Sequence, residues 1–132
     1  MAFKIDIKRD VEKFEIGSKT FELELQNEKL VKYNAKINEV VSKSEEARGK
    51  EDDLELVDAL REVEEATKDL IGIFFGNGAY DEIFEEVNRS SYVMSKVIEQ
   101  IVEAVQIIVT REQEKNRENK KQAYYKKKNE AV

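Results

Sequence analysis

Proline, cysteine, histidine and tryptophan are all absent from the 132 residues of this chain. Average usage would place roughly six or seven prolines in a chain of this length, and each one inside a helix would cost about 3 kcal/mol. Long helices therefore meet few interruptions, with only five glycines present. Without cysteine there are no disulfides, thiol nucleophiles or thiolate metal sites. Without histidine the usual general base near neutral pH is missing. A non-enzymatic protein is expected, with no catalytic residue, cofactor or metal. Long apolar runs are also lacking. Ile71–Phe75, broken by Gly72, and Ile107-Ile108-Val109 fall far short of the roughly 20 residues of a membrane helix. The first ten residues, MAFKIDIKRD, hold no apolar stretch of the signal-peptide kind, so the cytoplasm is the expected location.

What is present is charge: 39% of residues are Asp, Glu, Lys or Arg, against 40% apolar. The core is expected to be thin, or completed by another subunit, and a homo-oligomer is the expected state. The net charge of −6 conceals an asymmetry. Residues 1–110 hold 15 basic and 25 acidic residues, whereas residues 111–132 hold 8 basic and 4 acidic. A basic tail on an acidic body suits either nucleic acid or the body of a neighbouring copy.

Hydropathy patterning predicts a mostly helical α+β domain over residues 1–110. Phe3, Ile5 and Ile7 alternate with polar residues, as do Phe14 and Ile16, then Phe21, Leu23 and Leu25. This period of two predicts a small antiparallel sheet within 3–25. Gly17-Ser18 suits a type II′ hairpin turn. A two-residue loop pairs Phe14 with Phe21 and a four-residue loop pairs Ile16 with Phe21. Both keep the apolar side chains on one face. Helical spacing then predicts helices at about 28–46, 52–75, 79–88 and 91–115. Asn27, Asp52 and Ser90 or Ser91 are the expected N-caps, and Gly49 and Gly76 the expected C-terminal stops. In the second helix Leu56, Leu60, Val63, Thr67, Leu70 and Phe74 form one stripe. Residues 111–132 are expected to be a charged, partly disordered extension.

Candidate sites are few. Gly76-Asn77-Gly78 follows a helix and lacks the third glycine and the Lys-Ser/Thr of a phosphate loop, so a helix–helix turn is expected. The carboxylate pairs Asp81/Glu85 and Glu82/Glu86, and the cluster Glu62, Glu64, Glu65, lack the Asp-rich loop of a calcium site and read as solvated helix faces. Tyr124-Tyr125-Lys126-Lys127-Lys128 combines stacking groups with cations, but one such pair in a terminal tail makes nucleic acid the less favoured partner. The fourth helix carries more apolar surface than one packing face needs. Val93, Val97, Ile101, Val105 and Ile108 lie on one stripe of it. With the aromatics Phe74, Phe75 and Phe84 they are the expected partner-binding residues; the competing reading is a helix buried on all sides.

The hairpin start, the helical middle, the stretch FGNGAYDEIF (75–84), the Asn88-Arg89-Ser90 break and a long apolar helix with a Lys-rich end together resemble tail assembly chaperones of long-tailed phages and prophages of Gram-positive bacteria. The resemblance implies a non-enzymatic, non-virion protein of the host cytoplasm. Such a protein binds the helical tape measure protein and helps tail tube subunits assemble around it. It also implies a longer form made by frameshifting near the end of the short reading frame. The alternative is an unrelated helical adaptor or regulatory module, and after it a nucleic-acid-binding accessory protein.

Overall fold

A computed structural model describes residues 2–5 and 10–130, with side chains through Ala123. Strands β1 (Val11–Ile16) and β2 (Lys19–Glu24) pair antiparallel, Phe14 opposite Phe21 and Ile16 opposite Lys19. The loop is thus the two-residue one, Gly17-Ser18. Gly17 has φ 61° and Ser18 does not share the positive sign, which is the pattern of a type II′ turn. The inner face closes on a helix, with the Phe75 ring 5.2 Å from Phe14 and 5.3 Å from Phe21.

The sheet has two strands among the described residues, which corrects the expected start at residue 3. Phe3 and Ile5 are 92% and 83% exposed and lie outside any strand; Ile7 lies outside the described residues. Two strands already bury Phe21, Leu23 and Leu25.

Helix α1 (Asn27–Arg48) starts one residue earlier than its expected cap allows. Gln26 holds the extended cap position without a side-chain bond, and Asn27 instead accepts a hydrogen bond from Asn116. Gly49 ends the helix in a right-handed conformation, φ −82°. Helix α2 (Asp53–Phe75) is capped as expected: the Asp52 carboxylate accepts from the backbone N–H groups of Leu54 and Glu55 at 2.8 and 3.3 Å. The two helices run antiparallel, with Tyr33 edge-on to Phe74 at 5.3 Å and Lys36 3.7 Å from Asp69.

Gly76 turns the chain out of α2 at φ 100°, ψ 169°, a region essentially closed to other residues. Gly76-Asn77-Gly78 is therefore a helix–helix turn. Helix α3 (Ala79–Glu86) follows. Asn88 and Arg89 then both adopt left-handed conformations, φ 53° and 58°; asparagine visits this region readily, whereas arginine does so at a cost of about 1–2 kcal/mol. The Arg89 N–H closing on the Phe84 carbonyl at 2.9 Å helps hold that break.

Helix α4 (Ser91–Glu130) is 40 residues long, about 60 Å at 1.5 Å per residue. Ser90 rather than Ser91 caps it, accepting from the Val93 N–H at 3.3 Å. It continues well past the expected end near residue 115. Arg111 reaches Glu12 at 3.4 Å, and Asn116 reaches Asn27. Gln113, Arg117 and Lys120 line a shallow hollow there with Asn27, Leu30 and Val31 of α1.

The core joins β2, α1, the second half of α2, α3 and α4 through Leu23, Leu30, Tyr33, Ile37, Leu70, Ile71, Phe74, Ile83, Met94 and Val105. The Tyr33 hydroxyl donates to the Glu24 carbonyl at 2.8 Å. Burial, reinforced by the Glu24 charge, pushes its pKa up to about 12.

Candidate protein-binding groove

Helix α4 packs chiefly on α1, which leaves a trough between its first turns and α2. The trough has a volume of about 610 Å³. Its α2 wall carries Leu60, Val63, Glu64, Thr67 and Lys68. Tyr80, Asp81 and Phe84 of α3, with Arg89, close one side, and Ser91, Met94, Ser95 and Ile98 form the opposite wall. Leu60 is 52% exposed, Val63 and Ile98 are half-buried, and Thr67 and Met94 form the buried floor.

Several polar groups inside are already engaged. The Thr67 hydroxyl donates to the Val63 carbonyl at 2.7 Å, so this polar residue leaves no bond unmade on an apolar floor. Lys68 pairs with Glu64 at 3.5 Å and lies over the Tyr80 ring at 5.5 Å. Arg89 pairs with Glu85 and covers the Phe84 ring at 5.1 Å. Tyr80 and Phe84 stack at 6.2 Å. Burial, then the nearby Glu64 charge, raises the Tyr80 pKa. The result is an apolar trough whose bordering cations are paired, a form that suits an amphipathic helix.

The exposed apolar surface continues up α2. Leu54 (79% exposed) and Val57 join Leu60 and Val63 at steps of three. The helical stripe predicted for α2 is thus buried only in its second half, at Thr67, Leu70 and Phe74. Leu54 and Val57, on its first turns, lie outside the trough lining.

The fold separates the eight expected partner-binding residues. Phe74, Ile101, Val105 and Ile108 are buried in the core, and Phe75 and Val97 are half-buried against it. Phe84 lines the trough, and Val93 is exposed at the start of α4. Most of the apolar excess of α4 therefore faces inward. Sequence periodicity placed Leu60, Val63, Met94 and Ile98 on helices, but it could not tell which side of each helix would be left uncovered.

The acidic clusters divide in the same way. Glu82 faces Lys19 at 3.9 Å, Glu86 accepts from Ser18, Glu85 binds Arg89 and Glu64 binds Lys68. Among the described residues no group of three or more acids could hold a metal ion. No described helix is long and apolar enough to cross a membrane. A second hollow, about 490 Å³ along the α2–α3 turn, is lined by Lys36, Asp69, Asn77 and Asp81, of which Lys36 and Asp69 pair at 3.7 Å. Comparison with protein-family models, curated proteins and solved structures finds no match.

Proposed function

We propose that this chain is a non-enzymatic protein-binding module of the phage tail assembly chaperone kind, whose partner is the tape measure protein. The observation that carries the reading is the open apolar trough of Leu60, Val63, Phe84, Met94 and Ile98, whose two cations, Lys68 and Arg89, are already paired. A tape measure protein is a long helix with an apolar stripe. Held before the tail tube encloses it, such a stripe needs a soluble cover. The trough offers that cover, and the heavily charged remainder of the surface offers solubility.

Co-expression tests this. A tagged copy should retain a co-expressed fragment of a tape measure protein, and Leu60→Glu with Ile98→Glu should abolish retention while the circular dichroism spectrum stays helical. Lys120→Ala, beside the start of α1 and away from the trough, should leave it unchanged. Retention that survives the paired charges would place the binding surface elsewhere. No retention by the unaltered chain would remove the tape measure reading.

A further inference from the structure

The first half of α2 is acidic in a way the rest of the surface is not. Residues 51–65 hold eight acids and one base, Arg61. Elsewhere acids are interspersed with bases, and several sit in local pairs, Glu12 with Arg111, Glu39 with Lys36 and Lys43, Glu82 with Lys19, Glu85 with Arg89. Among the described residues Glu55, Asp58, Glu62 and Glu65 form no ion pair; Glu64 alone of this stretch does, with Lys68. Their unbalanced charge lies along the same segment that exposes Leu54, Val57 and Leu60 and leads into the trough.

We infer that the helix this trough takes is basic along the edge that faces the first half of α2. This rests on the trough being a helix-binding site, as proposed above. Acids without local partners repel one another in the free protein. Lysine or arginine flanking an incoming apolar stripe relieves that repulsion and steers the encounter. An acidic flank adds to it.

The chain's own basic extension is a poor occupant. Between Glu112 and Glu130 its apolar residues are Ala123, Tyr124 and Tyr125 alone. It has the charge but no stripe to match Leu54, Val57, Leu60 and Val63. The occupant is a helix of another protein that carries both.

Three synthetic helical peptides with one identical leucine stripe, and with lysine, glutamine or glutamate flanks, provide the test. Fluorescence anisotropy on the full chain should show the lysine peptide binding about ten-fold tighter than the glutamine peptide at low salt, with most of that advantage lost near 0.5 M salt. Glu55→Gln with Asp58→Asn and Glu62→Gln should remove the advantage and leave the glutamine peptide unaffected. The same number of charges removed at the far end, Glu28→Gln with Glu114→Gln and Glu118→Gln, should change little.

Equal binding of lysine and glutamate peptides overturns the inference while leaving the trough as a helix site. An equal effect of the far-end variant also overturns it, since net charge rather than α2 would then be responsible. A peptide of residues 111–130 binding as tightly as the lysine peptide overturns it in favour of a second copy. If no peptide binds, the helix-binding reading fails and this inference fails with it.

Discussion

Ser18 and Glu86, 68 positions apart, tie the tip of the hairpin to the end of α3. The Ser18 hydroxyl and its backbone N–H, the latter at 3.2 Å, both donate to the Glu86 carboxylate. Those two bonds are the main reason the Glu86 pKa lies below its ordinary value. A carboxylate lowered on folding adds stability above its unfolded pKa, and that stability is lost as pH falls through the lower folded value. Urea midpoints taken from neutral pH to about pH 3 should therefore fall less steeply in Glu86→Gln than in the unaltered chain. Parallel profiles would mean the link contributes nothing.

The neighbouring glycine is held by the same contact. A Cβ on Gly17 would meet the Glu86 carboxylate, and φ 61° disfavours any L side chain. Gly17→Ala is expected to cost about 1–2 kcal/mol from backbone strain alone, with the Ser18 link weakened in addition. A stability change within about 0.5 kcal/mol, the usual range for a surface substitution, would count against this turn.

Tyr33 governs the alkaline side. Its pKa is raised to about 12 by burial first and the Glu24 charge second. The neutral phenol is thus favoured in the fold. The stability it contributes is complete below pH 10 and is lost as pH rises towards 12, on the order of 2–3 kcal/mol over that window. Tyr33→Phe should flatten the alkaline limb while lowering stability near pH 7 by about 1 kcal/mol through the lost bond to Glu24. An unchanged alkaline limb refutes the assignment.

Leu70 and Leu60 occupy one predicted stripe but have different surroundings. Leu70 is fully buried, and Leu60 is half exposed in the trough. Leu70→Ala should cost about 2–5 kcal/mol, whereas Leu60→Ala should stay within about 0.5 kcal/mol and weaken partner binding. Equal losses of stability would show that the trough is closed in solution. Charges at Ile101 or Val105 belong with Leu70: they should unfold the chain rather than report on binding.

Self-association is expected from the apolar groups left outside the core, Leu54, Val57, Tyr92 and Ile107 among them, and from the opposite charges of body and extension. Light scattering should give a multiple of 15.4 kDa at micromolar concentration, falling with salt in so far as the charges contribute. A mass of one chain at every concentration would show that these residues tolerate water or await a different partner.

The element order was legible in the residues themselves. Alternation marks Phe14 to Leu25 as a hairpin, Asp52 marks the start of α2, and Gly76 marks its end. Each is a local property: a side-chain period, a carboxylate placed to accept two N–H groups, a φ open only to glycine. Which side of a helix meets another is not local. The stripes of α2 and α4 are continuous in sequence, yet Leu70 and Val105 are buried while Leu60 is open, because α4 packs on α1 and diverges from α2. The hairpin likewise finds its cover in Phe75, distant in sequence, which packs on its inner face. By itself the sequence determined helical content, turns, charge asymmetry and the absence of the usual catalytic groups. The tertiary structure alone decided which apolar residues became core and which became the walls of the trough, since burial depends on the partner surface and not on the stripe.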